Sequence, residues 1–360
     1  GLVDEVVEPE KLLERAEEIA LGAEPKRSEK AFDLQKMLLE ENPLGRYVMS
    51  NEAKKLITKK TKGKYPAPVE AAKVIFKSYE QTLDQAFGKL ATTATSKNLV
   101  GLFYAQTESK KMPDGVTADI KVETVGVIGA GVMGAEIAEA AAYNGYTVYL
   151  KDIDQAALDK GIATAKGLID GLVSKKKLSE SEAAAIMGRI KPTLSYADMA
   201  ECDLVIEAVV EVMKVKQAVL KELEEAIKKP FVFASNTSSL SVSEMASVAK
   251  EPKNVVGIHF FNPVHKMLLV EIVRANTTSN ETVAAAQSFA MKLGKTTVVT
   301  GDAPGFVVNR ILAPYLREAI VLLEQGVPPE EIDKAMTTFG MPMGPLALMD
   351  EVGLDIGEKV

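Results

Sequence analysis

Short apolar runs alternate with helix-like stretches through the middle of the chain, from about residue 122 to residue 300. Seven of these runs have the length and β-branched content of buried strands. They cover residues 124–128, 147–150, 204–211, 231–235, 255–259, 266–274 and 296–300. Because strands that alternate with helices usually form parallel sheets, the pattern predicts an α/β domain with a mainly parallel sheet.

Helical patterns lie on both sides of this region. Before it, residues 29–110 are strongly helical, and Pro113 and Gly115 mark a turn-rich boundary. After it, one apolar helix face begins near Pro304, and the pair Pro328 and Pro329 favours the start of another helix. A strand-like run and a short helical pattern open the chain. We therefore predict four segments: 1–28, a helical linker at 29–118, the α/β domain at 119–301, and an all-helical domain at 302–360.

The first predicted strand leads directly into Gly129-Ala-Gly131-Val-Met-Gly134. In a Rossmann-type domain the first glycine permits a tight turn, the second lets amides approach a pyrophosphate, and the third lets the helix pack closely. Asp152 follows at the end of the second strand, where a carboxylate accepts hydrogen bonds from a ribose 2′-hydroxyl and repels a 2′-phosphate. These features predict a site for NAD; the alternative is a glycine-rich turn in another kind of α/β domain.

The chain has two histidines. His259 ends an apolar strand, where parallel sheets place their ligands. Glu271 lies between apolar neighbours in the next strand, which is costly for a carboxylate without a partner. An imidazole oriented by a carboxylate can take a hydroxyl proton while a hydride leaves the carbon, so the two residues form a candidate dyad. The alternative is a core histidine with a surface glutamate. We expect His265 to be a surface or rim residue.

Two further polar groups follow predicted strands. The run Ser235-Asn-Thr-Ser238-Ser239 either holds a substrate oxygen or the nicotinamide, or supplies the cap and turn of the next helix. Asn309 lies one turn into the helix after Pro304. It either faces a cleft between domains or is an exposed helix residue.

Composition narrows the possible partners. The net charge is -7 and no long basic block is present, so we expect no nucleic-acid partner. No apolar run is long enough to span a bilayer. Cys202 is the single cysteine, which excludes an internal disulfide and fits a reducing compartment. Histidine and cysteine are too few for a transition-metal site. The chain opens at Gly1 rather than Met, and we interpret it as part of a longer protein.

Several motifs together resemble a known family, the L-3-hydroxyacyl-CoA dehydrogenases of fatty acid β-oxidation. The motifs occur in one order along residues 120–360. They are Gly129-Ala-Gly-Val-Met-Gly134, Ser235-Asn-Thr-Ser-Ser239, His259-Phe-Phe-Asn-Pro263, Pro304-Gly-Phe-Val-Val-Asn-Arg310 and Pro342-Met-Gly-Pro345. Residues 1–28 look like the tail of an enoyl-CoA hydratase (crotonase) domain, and 29–118 look like a linker. The chain as a whole resembles the middle of the multifunctional α-subunit of the bacterial fatty acid oxidation complex.

The resemblance implies a role for each matched residue. His259 would be the catalytic base and Glu271 its orienting partner. Ser238 would contact substrate and nicotinamide, and Asn309 would bind the substrate. Further implied NAD contacts, beside the glycines, are Met133, Asp152, Val210, Glu211, Lys216 and Asn262. The basic run at 175–177, with Lys176 at its centre, would lie near the CoA phosphates. Val212 departs from the family pattern, in which asparagine often follows the glutamate.

The implied activity is the NAD-dependent oxidation of an L-3-hydroxyacyl-CoA to the 3-ketoacyl-CoA. The implied partners are the acyl-CoA and a thiolase β-subunit, and the location is cytoplasmic in a bacterium or peroxisomal in a eukaryote. Hydratase activity is not expected, and the helical domain at 302–360 looks incomplete. Two alternatives remain: a β-hydroxyacid dehydrogenase with a catalytic lysine, and a catalytically incomplete NAD-binding or docking module.

Overall fold

The computed structural model describes residues 5, 7–22, 42–76, 83–112, 116 and 121–353. The chain divides into two compact units, Gly1–Leu99 and Val100–Val360. The described part of the first unit is helical, and a fifth helix spans the boundary. These helices are α1 (Leu12–Ala20), α2 (Pro43–Thr61), α3 (Pro66–Phe76), α4 (Leu83–Ala91) and α5 (Ala94–Glu108). Most of the strand-like run at the start of the chain, and the helical pattern at 32–38, lie outside the described residues.

The second unit contains an eight-stranded sheet in the order β3-β2-β1-β4-β5-β6-β7-β8. The strands are β1 (Thr124–Ile128), β2 (Thr147–Lys151), β3 (Ile190–Thr193), β4 (Leu204–Glu207), β5 (Val232–Ser235), β6 (Val255–Phe260), β7 (Leu269–Arg274) and β8 (Thr296–Gly301). All neighbouring strands are parallel except β6 and β7, which are antiparallel. The predicted mainly parallel sheet is confirmed.

Three details differ from the predicted strands. The pattern did not indicate β3, an edge strand that contains Pro192; proline cannot donate to the ladder and weakens a strand signal, but an edge strand tolerates it. The strand predicted at 204–211 ends at Glu207, so Val210 and Glu211 follow it. The strand predicted at 266–274 begins at Leu269, because residues before it form a turn on the Pro263 carbonyl.

Helices pack on both faces of this sheet. Successive side chains of a strand point to opposite faces, and in β4 Leu204 and Ile206 belong to one buried apolar cluster while Val205 belongs to another. The helices of this part are α6 (Val132–Tyr143), α7 (Gln155–Ser174), α8 (Glu180–Met187), α9 (Met213–Ala226), α10 (Val242–Ala246) and α11 (Asn280–Lys292). Residues 134–142 of α6 are all buried, so most of the helix after the glycine turn lies within the domain, and its two end residues are exposed.

The end of the described chain is helical, as the pattern indicates. It contains α12 (Val308–Glu324), α13 (Pro329–Phe339) and α14 (Pro345–Val352). Pro329 is the first residue of α13, which confirms the predicted start. The carboxylate of Asp333 accepts hydrogen bonds from the Leu346 and Ala347 amides at 2.9 and 3.1 Å. This contact fixes the first turn of α14 against α13.

Candidate active site

The glycine turn at the carboxyl end of β1 has the geometry that requires glycine. Gly129 has a φ of 95°, a conformation that side chains other than glycine rarely adopt. A Cβ on Gly129 would lie 2.5 Å from the Ala208 carbonyl oxygen. A Cβ on Gly134 would overlap the Gly129 carbonyl oxygen. The turn and the first turn of α6 are therefore packed at backbone distance.

The start of α6 fits an anionic ligand. Its cap residue is Gly131, which is exposed and brings no side-chain acceptor to the first-turn amides. Amides at a helix N-terminus without an internal acceptor bind phosphate groups, and the helix dipole favours the same charge. A Cβ on Gly131 would meet nothing within 4 Å, so the space over this turn is open. These features fit the pyrophosphate of a dinucleotide.

Asp152 lies at the carboxyl end of β2, beside the same turn. One carboxylate oxygen accepts a hydrogen bond from the Ala130 amide at 2.7 Å, and the other accepts one from the Ile153 amide at 2.7 Å. Asp152 thus fixes the glycine turn to the neighbouring strand. These two bonds orient the carboxylate before a ligand binds. The ribose contact predicted for Asp152 would therefore need no rearrangement of this side chain.

The candidate dyad forms in the antiparallel part of the sheet. His259 and Glu271 are direct partners in the register of β6 and β7. The His259 Nδ1 lies 2.7 Å from the Glu271 Oε2. The two residues are 5% and 1% exposed, so the alternative of a core histidine with a surface glutamate is wrong. With Nδ1 engaged by the carboxylate, Nε2 is the nitrogen that can receive a proton.

The second oxygen of Glu271 serves another element. Its Oε1 accepts hydrogen bonds from the Val307 and Val308 amides, both at 2.9 Å. Burial alone would raise the pKa of Glu271, but the bonds from His259 and from these two amides outweigh it and hold the pKa below its ordinary value. One carboxylate therefore both orients the imidazole and caps α12.

Two aromatic rings border the imidazole. The Phe261 and Phe306 ring centroids lie 4.5 and 5.6 Å from that of His259. Phe306 is buried and has a φ of 49°, which is uncommon for a residue with a side chain and typical of functional sites. The apolar walls restrict the imidazole to the orientation that its carboxylate partner sets.

Ser238 and Asn309 are brought together. The Asn309 Nδ2 donates to the Ser238 carbonyl oxygen at 3.3 Å. The Ser238 amide donates to Glu211 Oε1 at 3.0 Å, and the Thr237 hydroxyl donates to the same oxygen. Thr237 also forms the turn expected of this run, while Ser241 caps α10. The run therefore has a turn-forming role in addition to the proposed one.

Glu211, which accepts the Ser238 amide, belongs to a buried ionic network. Lys216 is 1% exposed, and its Nζ lies 2.8 Å from Glu207 Oε1 and 3.2 Å from Glu211 Oε2. Glu207 is fully buried and also accepts hydrogen bonds from the Ser235 hydroxyl and the Val209 amide. The family pattern indicated Lys216 and Glu211 but not Glu207. A carboxylate in an apolar strand was the available signal, the same one that identified Glu271.

The remaining predicted residues differ in exposure. Val210 and Asn262 are exposed beyond the ends of their strands, and Met133 is half-buried against the core. Lys176 is exposed and has a φ of 55°. Val212 precedes α9 and donates its amide to the Val210 carbonyl.

His265 is exposed, as expected of a rim residue. Its Nδ1 lies 3.8 Å from a carboxylate oxygen of Glu136 in α6. Within the part of the chain that the structure describes, no group of three or more acidic, histidine or cysteine residues is arranged to hold a metal ion. No helix among the described residues has the length and apolarity to cross a bilayer.

Two family models match the chain. The model described as 3-hydroxyacyl-CoA dehydrogenase, NAD binding domain, matches residues 124–303, and that of the C-terminal domain matches residues 305–360. The chain belongs to the 3-hydroxyacyl-CoA dehydrogenase family. The prediction of NAD as the cofactor and of an NAD-dependent oxidoreductase is thereby confirmed.

Several similar bacterial proteins share a name. The chain is 42% identical over 369 residues to the fatty acid oxidation complex subunit alpha of Pseudomonas savastanoi, covering 99% of this chain and 51% of that protein. It is 42% identical over 373 residues to the protein of the same name from Psychrobacter, with the same coverage. The chain thus spans about half the length of these relatives. The resemblance to that subunit is confirmed over about half of its length.

Solved structures share the dehydrogenase fold. The (S)-3-hydroxybutyryl-CoA dehydrogenase of Ralstonia eutropha is 43% identical with a TM-score of 0.63, covering 65% of this chain and 84% of that one. The 3-hydroxybutyryl-CoA dehydrogenase of Escherichia coli is 40% identical with a TM-score of 0.63, covering 66% and 50%. These likenesses confirm the predicted fold class, a Rossmann-type sheet followed by helices.

Proposed function

We propose that this chain oxidises an L-3-hydroxyacyl-CoA to the 3-ketoacyl-CoA with NAD as hydride acceptor, as the dehydrogenase part of a multifunctional β-oxidation protein. The observation that carries the proposal is the buried His259–Glu271 pair with its 2.7 Å contact. It lies in the same sheet as a glycine turn that fits a pyrophosphate. The names of the relatives support the substrate class and the place in fatty acid oxidation.

The side chains of the site have distinct roles in this reaction. When bound, NAD supplies the acceptor for the hydride that leaves C3. His259 takes the hydroxyl proton at Nε2, and Glu271 keeps Nδ1 protonated and stabilises the imidazolium that forms. Ser238 and Asn309 hold the substrate oxygens. The Asn309 Nδ2 lies 3.3 Å from the Ser238 carbonyl oxygen, so the two residues are close enough to act on one ligand. Correct placement of reacting groups is a large part of the rate advantage.

The other predicted cofactor residues divide by exposure. Asp152 would meet the ribose, and the exposed Val210 and Asn262 are available to the cofactor. Lys216 is 1% exposed and bonds two carboxylates; we propose that it acts through Glu211, which holds Ser238. Lys176 would meet the CoA phosphates from the exposed turn after α7.

A thiolase partner and a cytoplasmic location remain proposals. The relatives are subunits of a complex, and this chain spans about half of their length. We propose the four predicted segments as the organisation of this piece: the hydratase tail at 1–28, the linker at 29–118, and the two dehydrogenase domains at 119–301 and 302–360. The family matches at 124–303 and 305–360 support the last two.

The direct test is NADH formation, followed by absorbance, with 3-hydroxybutyryl-CoA as substrate. We expect turnover by the wild-type chain and a loss of about 10²–10⁴-fold in kcat for His259→Ala, the contribution typical of a general base. An NADH-binding titration of both proteins is the control, because His259→Ala should bind the cofactor normally. Unchanged turnover in the variant would overturn the mechanism.

The same assay distinguishes a second candidate function, that of a non-catalytic docking module. Binding of NADH without turnover of any 3-hydroxyacyl-CoA would favour this alternative. The lysine-dependent β-hydroxyacid dehydrogenase is disfavoured by the buried His259–Glu271 pair, because such an enzyme has no use for an oriented imidazole.

A further inference from the structure

Three charged side chains are buried together in the second unit without a role in the site described above. Glu136 and Glu139 are 6% and 5% exposed in α6, and Lys295 is 7% exposed just before β8. A buried charge is costly unless it is paired or hydrogen-bonded. The partners of these side chains therefore indicate what the cluster holds.

Both charges meet on a single residue, Val264. A carboxylate oxygen of Glu136 accepts the Val264 amide, and the Lys295 Nζ donates to the Val264 carbonyl oxygen at 2.5 Å. The same Nζ donates to the Met267 carbonyl oxygen at 2.9 Å. The Val264 side chain is itself fully buried. Both polar groups of Val264 are thus held by charged side chains from two different elements.

The segment that these contacts hold joins β6 to β7. Residues 261–268 have no regular secondary structure, and their internal turn rests on two amides that donate to the Pro263 carbonyl. His259 lies two residues before the start of the segment, in β6, and Asn262 lies within it, two residues before Val264. The placement of Asn262 therefore depends on contacts made by Val264.

We propose that Glu136 and Lys295 form a clamp that sets the position of the 261–268 segment, and through it the position of Asn262, the cofactor contact that the family resemblance implies. This inference rests on the proposed function. Both are positioning residues that act through the Val264 peptide. Since Glu136 belongs to the helix whose N-terminus fits the pyrophosphate, the clamp connects the phosphate end of the site with the segment after His259.

The choice of charged residues fits a positioning role better than a purely stabilising one. Well-packed apolar residues would stabilise this region at least as well as buried ions. Charge-assisted hydrogen bonds add a fixed direction, and here they define the orientation of the two adjacent peptide planes on either side of Val264. The His265 Nδ1 lies 3.8 Å from the same Glu136 oxygen, so a second residue of the segment lies close to the clamp.

Glu139 offers a matched control. It lies on the same helix, is as buried as Glu136 and attracts the Lys295 charge, but among the described residues no hydrogen bond from it to the 261–268 segment is found. It therefore separates the charge of the cluster from the hydrogen bonds to Val264. Four variants of the whole chain separate the possibilities: Glu136→Ala, Glu136→Gln, Lys295→Met and Glu139→Gln. The glutamine at 136 keeps an oxygen that can accept the Val264 amide, and methionine at 295 keeps the volume of lysine without its donors.

The measurements are hydrogen exchange of peptides covering 261–268, NADH affinity by fluorescence, and KM and kcat with 3-hydroxybutyryl-CoA. For Glu136→Ala, which loses one charge-assisted hydrogen bond to the segment, and for Lys295→Met, which loses two, we expect exchange in the segment to rise and NADH affinity to fall by about tenfold or more. The KM for NAD should rise more than kcat falls. Glu136→Gln should restore most of the affinity, and Glu139→Gln should match the wild type.

Exchange and NADH binding do not require turnover, so a wild-type chain without activity would count against the proposed function and leave these two readouts intact. Should Glu136→Ala fail to fold, Lys295→Met tests the same clamp from the other side. The clamp is overturned if segment exchange and NADH affinity in Lys295→Met equal those of Glu139→Gln. It is also overturned if Glu136→Gln is as impaired as Glu136→Ala.

Discussion

The two halves of the sheet contribute different kinds of group to the site, backbone groups in one half and buried side chains in the other. Around β1, β2 and α6 the site consists of backbone: a turn at Gly129, amides at the start of α6, and one carboxylate that fixes the turn. Around β6 and β7 it consists of buried side chains, with His259 and Glu271 in direct register. The backbone half suits a ligand with invariant phosphates, whereas the side-chain half suits a proton transfer that needs a defined tautomer.

This difference has a consequence for mutations. Substitutions in the backbone half should act through steric overlap and change cofactor affinity and stability together. Substitutions in the side-chain half can change the chemistry while the fold stays intact. The first region should therefore show correlated losses, and the second should show losses of kcat alone.

The largest effect that separates the halves is expected for Glu271→Gln. Glutamine can still accept the Val307 and Val308 amides through its oxygen, so the cap of α12 survives. Its NH₂ group would face Nδ1 of His259, which then must accept, and the proton moves to Nε2, the nitrogen that should be the base. We expect kcat to fall by about 10²–10⁴-fold, as for other bases held in the wrong tautomer.

Steady-state kinetics and thermal unfolding of the Glu271→Gln variant provide the check. The NADH affinity should stay close to that of the wild type, and the melting temperature should fall only by the small amount that the ionised carboxylate contributes. A loss of NADH affinity as large as the loss of kcat would contradict the separation of the two halves. Glu271→Ala is the companion variant, because it also removes the cap and should lose stability.

How well the sequence predicts each half of the site depends on how far apart in sequence the interacting residues are. The glycine turn was predictable because Gly129, Gly131 and Gly134 act within six consecutive positions and their spacing is diagnostic. The pairing of His259 with Glu271 was predictable from the cost of an unpaired carboxylate in an apolar strand. The antiparallel register that makes them direct partners was not, since a short strand pattern carries no direction.

The clamp residues show where the sequence stops being informative. Glu136 bonds the Val264 amide across 128 positions, and no local pattern connects the two. The only signal was a pair of glutamates inside an otherwise apolar helix, which also fits an exposed helix face. Likewise, the sequence pattern does not predict β3, because Pro192 interrupts it. The structure shows that β3 is an edge strand.

In the backbone half, Gly134→Ala should produce the next largest effect. The new Cβ would overlap the Gly129 carbonyl oxygen, so the helix must move away from the turn. We expect a loss of about 1–3 kcal/mol in unfolding free energy, typical of overpacking, and a loss of NADH affinity of about tenfold or more. Chemical denaturation and NADH titration measure the two quantities.

Gly167→Ala is the matched control for Gly134→Ala. Gly167 lies in α7, and a Cβ added there would meet nothing within 4 Å. Alanine at this position should therefore raise stability by about 0.5–1 kcal/mol through its better helix propensity. Retained NADH affinity in Gly134→Ala, at lowered stability, would show that the close helix–turn packing serves the fold rather than the cofactor.

The smallest expected effect is a pH dependence that belongs to Glu271 alone. The hydrogen bonds from His259 and two amides hold the pKa of Glu271 below its ordinary value. A carboxyl with a lowered pKa contributes stability above its unfolded-state pKa of about 4.3, and this contribution disappears as the pH falls through the folded-state pKa. The unfolding free energy of the wild type should therefore approach that of Glu271→Gln below about pH 4.

Comparing the wild type with Glu271→Gln cancels the contributions of the other acidic groups to the pH dependence. Asp302 and Glu211 also have lowered pKa values. Hydrogen bonds outweigh burial at Asp302, and the Lys216 charge together with hydrogen bonds outweighs burial at Glu211. Burial beside Glu136 instead raises the pKa of Glu139 to about 7. All three are present in both proteins, so only the difference between the denaturation curves at each pH reports on Glu271. A difference that stays constant from neutral pH into the acid range would mean that the carboxylate of Glu271 is not stabilised by its partners, and that the side-chain half depends on packing alone.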